Sequence, residues 1–92
     1  MRILLIEDDK VIGTAVREQI EADGHSVDWA QWLDAAGDAL GGAKFDLLLL
    51  DLMLPDGRGI GFLKSLRARG STVPVIILTA LDQISDRIEG LN

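Results

Sequence analysis

Three short runs made wholly of apolar residues constrain this chain more than any other feature. They are Ile3-Leu4-Leu5-Ile6, Leu47-Leu48-Leu49-Leu50 and Val75-Ile76-Ile77-Leu78. A strand that is apolar on both sides of its pleat has no face to give to water, so it must be covered above and below. Ser26-Val27-Asp28-Trp29-Ala30 differs: polar and apolar residues alternate, as in a half-exposed edge strand. The last run extends back to Val73, with Pro74 at its start because proline has no N–H for a ladder.

Helical patterns lie between the runs. Over residues 10–23, Val11, Ala15 or Val16, and Ile20 recur at helical spacing, with Asp9 placed to cap the start and Gly24 to close the end. Over 32–40, Trp32, Leu33, Ala36 and Leu40 make a weaker pattern closed by Gly41 and Gly42. Over 59–69, Phe62, Leu63 and Leu66 share a face before Gly70. Over 83–91, Ile84, Ile88 and Leu91 do the same, with Asp82 as a cap. Strand and helix alternate four times. That order predicts an α/β fold, a parallel sheet with helices on both faces. Ligand sites in such sheets lie beyond the carboxyl ends of the strands.

Composition removes several classes of chemistry. There is no Cys, which excludes disulfides, zinc–thiolate sites and thiol nucleophiles, and the single His25 excludes any two-histidine site. The net charge of −6 disfavours a grip on nucleic acid phosphates. No apolar stretch resembles a secretion signal or approaches a bilayer span, so a soluble, cytoplasmic protein of one domain, without membrane attachment, is expected.

The strand ends carry acids. Glu7, Asp8 and Asp9 follow the first run, Asp51 follows the Leu run, and Thr79 and Ala80 follow the last. Taken alone, Glu7-Asp8-Asp9 suits helix capping. Asp51 shifts the balance. Carboxylates gathered at one sheet edge repel, and a hard divalent cation relieves that cost. Oxygen ligands alone suit Mg²⁺, and this chain has no softer set to offer. Glu7 and Asp8 are therefore read as metal ligands and Asp9 as the cap. A carboxylate such as Asp51 beside Mg²⁺ can attack phosphorus, and a hydroxyl such as Thr79 can bond a phosphoryl oxygen. Thr79 can equally be an ordinary strand-end threonine. Residues 52–59, Leu-Met-Leu-Pro-Asp-Gly-Arg-Gly, predict a tight, stiff loop. It is either a plain strand-to-helix turn or one that aims the Met53 carbonyl at the metal.

Three segments in order, Arg2-Ile-Leu-Leu-Ile-Glu-Asp-Asp9, Asp51-Leu-Met-Leu-Pro-Asp-Gly-Arg-Gly59 and Val75-Ile-Ile-Leu-Thr-Ala80, resemble the receiver domain of bacterial two-component response regulators. The opening acids, the Leu-Pro loop and Asp86-Arg-Ile-Glu-Gly-Leu91 look most like the OmpR-type branch, whose members usually carry a C-terminal winged-helix DNA-binding domain. The resemblance spans the whole chain. It implies a flavodoxin-like (CheY-like) doubly wound parallel sheet with strand order 2-1-3-4-5. It also implies a binding and switching module rather than an enzyme, phosphorylated on Asp51 by a sensor histidine kinase with Mg²⁺. Asp8 would be the direct ligand, Glu7 would act mainly through water, and Met53 would give its carbonyl. Thr79 would be the switch hydroxyl and Ala80 the small residue that leaves room for the phosphoryl group. Large apolar Met53 and Leu81 would keep water from it.

One departure is large. The resemblance implies a fifth strand and a last helix, with a Lys that pairs with the phosphoryl group and a switching aromatic, and residues 1–92 supply none of these. The chain is therefore expected to be an incomplete receiver, with DNA contacted only through an absent output domain. Its fourth strand would be a bare apolar edge suited to pairing with a second copy or exchanging elements with it. Two other readings remain. A haloacid-dehalogenase-type phosphohydrolase would need an Asp where Met53 stands, and a pseudo-receiver would bind partners without phosphorylation. Trp29 and Trp32 are expected to pack beside the second strand.

Overall fold

The computed structural model describes residues 1–78. Thr79, Ala80, Leu81 and the helix expected over 83–91 lie outside the described residues. The elements run β1 (Arg2–Ile6), α1 (Lys10–Ala22), β2 (Ser26–Ala30), α2 (Leu33–Gly42), β3 (Leu47–Asp51), β4 (Met53–Leu54), β5 (Gly57–Arg58), α3 (Gly59–Ala68) and β6 (Val75–Leu78). The main sheet is parallel in the order β2-β1-β3-β6, the predicted order of the first four strands.

The runs of β1 and β3 are covered on both sides, as their lack of a polar face requires; the run of β6 is not. Leu4, Ile6, Leu48 and Leu50 face one way and bury against Ala36 of α2 and Leu66 of α3. Ile3, Leu5 and Leu49 face the other way, against Val16 and Ile20 of α1 and Trp29 of β2. Leu4, Leu5, Ile6, Leu48 and Leu50 are fully buried, and burial of each contributes about 1.5–3 kcal/mol relative to exposure. β1 and β3 are therefore packed tightly up to the residues where they end. β6 is less enclosed: Ile76 and Ile77 are exposed among the described residues.

α1 starts and stops as its sequence predicts. The Asp9 carboxylate accepts from the Val11 and Ile12 N–H groups at 2.8 and 3.0 Å, and Gly24 turns the chain at φ +89°. Gly70 does the same after α3, at φ +88°. α2 departs from expectation. It begins at Leu33 rather than Trp32 and runs through Gly41 and Gly42. Neither glycine takes a positive φ; Ala43, in an extended conformation, ends the helix. Trp32 is the residue before the helix and is half exposed, so it does not join the packed face expected of it. β6 begins after Pro74, whose carbonyl accepts from Leu48 N–H at 2.9 Å.

The stiff loop after Asp51 is a miniature hairpin. β4 and β5 pair antiparallel, Met53 with Arg58 and Leu54 with Gly57, around a Pro55-Asp56 turn. Gly59 closes its base by donating its N–H to the Leu52 carbonyl at 2.8 Å. A Cβ at Gly59 would collide with the Asp51 carbonyl, so only glycine lets α3 start this close to β3.

Candidate metal centre

The sheet register builds the site. β1 and β3 are parallel neighbours, with Ile6 opposite Leu50. One residue further on, Glu7 and Asp51 leave adjacent strands side by side. Both are buried, at 4% and 7% exposure, while Asp8 is exposed. One carboxylate oxygen from each of Glu7, Asp8 and Asp51 lies within 4.8 Å of the others. The residues read from sequence as an acidic group thus meet at the carboxyl end of the sheet.

The main chain holds Glu7 on both sides. Its N–H donates to the Ala30 carbonyl at 3.0 Å, and its carbonyl accepts from the Trp29 indole N–H at 2.8 Å. Asp51 is steadied by the loop that follows it: its Oδ1 accepts from Met53 N–H at 3.2 Å. The Leu52–Gly59 hydrogen bond fixes the alternation of the hairpin ladder. Met53 and Arg58 then form a non-hydrogen-bonded pair, which leaves the Met53 carbonyl out of the hairpin ladder.

Among the described residues no cation forms an ion pair with the cluster: the ion pairs are Arg2–Asp28 and Arg17–Glu21, and neither reaches it. Burial pushes the Glu7 carboxyl up to about 8, assisted by a hydrogen bond and charge repulsion with Asp51; the Asp9 N–H pulls only weakly the other way. Glu7 therefore keeps a proton near neutral pH that a cation would displace. Three carboxylates form an all-oxygen donor set, which fits a small hard divalent ion such as Mg²⁺.

Two contributors went unrecognised in the sequence. Trp29 does pack beside the second strand, as expected, and its indole N–H also holds the Glu7 carbonyl. Its trace was Gly13, a glycine inside α1 where a Cβ would run into the indole. Asp56 reaches from the hairpin turn to the start of α2, accepting from the Leu33 and Asp34 N–H groups at 2.8 and 3.0 Å. Its trace was the absence of any Ser, Thr, Asp or Asn just before α2. Thr79 and Ala80 fall outside the described residues.

The family model described as "Response regulator receiver domain" matches residues 3–92. Among curated proteins, the chain is 44% identical to the response regulator protein PmrA of Pseudomonas aeruginosa, over 100% of this chain and 42% of that protein. It is 44% identical to the transcriptional regulatory protein QseB of Escherichia coli O157:H7, over 99% of this chain and 42% of that protein. The chain thus spans about two fifths of the length of these curated relatives. Among solved structures, the receiver domain of the Francisella response regulator 1452 aligns with a TM-score of 0.83 at 34% identity, covering 98% of this chain and 74% of that one. The MaeR response regulator bound to beryllium trifluoride aligns with a TM-score of 0.84 at 32% identity, covering 99% and 76%.

Proposed function

The chain belongs to the response regulator receiver domain family of two-component systems, and from that premise we propose that Asp51 is its phosphoacceptor and that Glu7, Asp8, Asp51 and the Met53 carbonyl hold Mg²⁺. The observation that carries this reading is the meeting of three carboxylates within 4.8 Å at the ends of β1 and β3. Mg²⁺, when bound, supplies positive charge against the incoming phosphoryl oxygens.

An Asp51 oxygen attacks the phosphorus of a phosphohistidine on a sensor kinase. The new P–O bond forms as the P–N bond breaks, and the imidazole leaves. Met53 N–H donates to Asp51 Oδ1 and so turns that carboxylate. Thr79 is proposed as the hydroxyl that meets the transferred group, with Ala80 leaving it room. The acyl phosphate biases a two-state equilibrium, and an output domain beyond this chain turns that bias into transcriptional control. We place the protein in the cytoplasm, where kinase and DNA are both reachable; no helix of the described residues is long and apolar enough to cross a membrane. Self-association through the β6 edge, where Ile76 and Ile77 are exposed among the described residues, is the partner proposal specific to this chain. Monomers by light scattering at high concentration would remove it.

Intact mass spectrometry after incubation with acetyl phosphate tests the main reading. One phosphoryl group gained with Mg²⁺, and neither without it nor in Asp51→Asn, is the expected result. Labelling that survives Asp51→Asn would overturn the assignment. Beryllium trifluoride, which the MaeR relative binds, offers a second probe: it should stabilise the chain and not the Asp51→Asn variant.

A further inference from the structure

The hairpin that carries Met53 is fixed at two ends. At its base, Met53 N–H reaches Asp51 and Gly59 N–H reaches Leu52. At its tip, both oxygens of Asp56 are taken by the first N–H groups of α2, those of Leu33 and Asp34. Gly57 follows in a left-handed conformation, φ +153°, and the Leu33 side chain fills the space a Cβ would meet. α2 has no cap of its own, because Trp32 makes no side-chain bond to it. One carboxylate thus serves two structures: it satisfies the free N–H groups of α2 and tethers the loop of the acidic site. The two N–H groups hold the Asp56 carboxyl below its ordinary range, so the tether is charged wherever the protein is folded near neutral pH.

We propose that Asp56 is a positioning residue for the metal: by fastening the hairpin tip to the start of α2, it fixes where the Met53 carbonyl stands relative to Glu7, Asp8 and Asp51. The inference rests on the reading of those four residues as the Mg²⁺ ligands. A two-pair hairpin is not stable alone, so its orientation depends on its anchors. Losing the tip anchor leaves the three carboxylates in place and lets the carbonyl wander.

The test separates positioning from capping. Mg²⁺ affinity is measured in the full chain by calorimetric titration with MgCl₂, and melting temperature by circular dichroism. The proteins are wild type, Asp56→Ala, Trp32→Ser, and Trp32→Ser with Asp56→Ala. Serine at 32 restores an ordinary helix cap without restoring the tether. Titrations at low and high KCl separate placement from the loss of one nearby charge, which salt screens. Asp56→Ala is expected to bind Mg²⁺ roughly 10-fold more weakly, at both salt concentrations. The double variant is expected to regain the melting temperature and keep the weak binding. Affinity that recovers with the melting temperature, or is unchanged in Asp56→Ala, or returns at high salt, would overturn the inference and leave the phosphoacceptor reading standing. A wild type that does not bind Mg²⁺ would overturn both.

Discussion

The Trp29 indole donates its N–H to the backbone carbonyl of Glu7 at 2.8 Å, so the second strand holds the first residue of the acidic site by its main chain. The indole reaches that carbonyl because α1 presents Gly13 to it, and Arg17 lies over its ring at 5.2 Å. Gly13→Ala places a methyl group where the ring lies. Helix propensity would favour alanine by about 1 kcal/mol, but overpacking costs roughly 1–3 kcal/mol and should prevail. Urea denaturation is expected to show a net loss. Trp29→Phe, which keeps the ring and loses the N–H, should cost about 1 kcal/mol. A Gly13→Ala protein more stable than wild type would show that the indole is free to move aside.

Glu7 makes the metal-free protein pH-sensitive in a direction opposite to most carboxylates. Its carboxyl titrates at about 8 in the fold against an ordinary 4.5. Between those values the folded chain holds a proton that the unfolded chain has lost. This contribution to stability is full below the unfolded value and is lost as pH rises toward 8. Denaturation midpoints without metal should fall over that window, and Glu7→Gln should flatten the fall. Near pH 7.5 the Gln variant should be the more stable by at least about 1 kcal/mol. Mg²⁺ binds the charged form, so added MgCl₂ should stabilise wild type more at the top of the window than at the bottom. Equal effects of MgCl₂ at both ends would mean that Glu7 does not exchange its proton for the ion.

Asp9 is the plainest of the acids. It lies next to the cluster but spends its carboxylate on Val11 and Ile12. Asp9→Ala should lower stability by about 1 kcal/mol and leave Mg²⁺ affinity within about 2-fold, since it removes no proposed ligand. The paired measurement is denaturation beside MgCl₂ titration. A large loss of affinity would move Asp9 from capping to binding.

The strands were legible because they follow from local patterns, and the acidic cluster because the family resemblance supplies the strand order. A four-residue apolar run suits a strand buried on both faces, and once the family resemblance makes β1 and β3 neighbours, their register brings Glu7 and Asp51 together. The contributions of Trp29 and Asp56 were not legible, because each is a long-range hydrogen bond between a side chain and a backbone group. Trp29 acts 22 residues away on Glu7, and Asp56 acts 23 residues away on Leu33. Nothing in the spacing of either residue encodes its partner. The end of α2 failed for a different reason. Two glycines suggest a stop, yet here neither needs the left-handed conformation that would have made glycine necessary.

Met53 supplies the last prediction, because its two halves have separable roles. The backbone carbonyl, outside the hairpin ladder, is the proposed ligand, and any residue at 53 offers it. The side chain is half exposed and stands two residues after Asp51. Hydrolysis of an acyl phosphate needs a water placed in line with the bond to Asp51. A large thioether obstructs that water and cannot orient it, whereas an amide can hydrogen-bond it. Met53→Asn should therefore shorten the lifetime of phosphorylated Asp51 by roughly 10-fold, less than the ~100-fold or more of a true general base, because an amide orients the water without taking its proton. Mg²⁺ affinity should stay close to wild type. Met53→Leu, which keeps the bulk, should leave the lifetime unchanged. Decay of the phosphorylated species, followed by intact mass after removal of acetyl phosphate, gives the comparison. Equal lifetimes for the Asn and Leu variants would mean that access of water to Asp51 is controlled elsewhere.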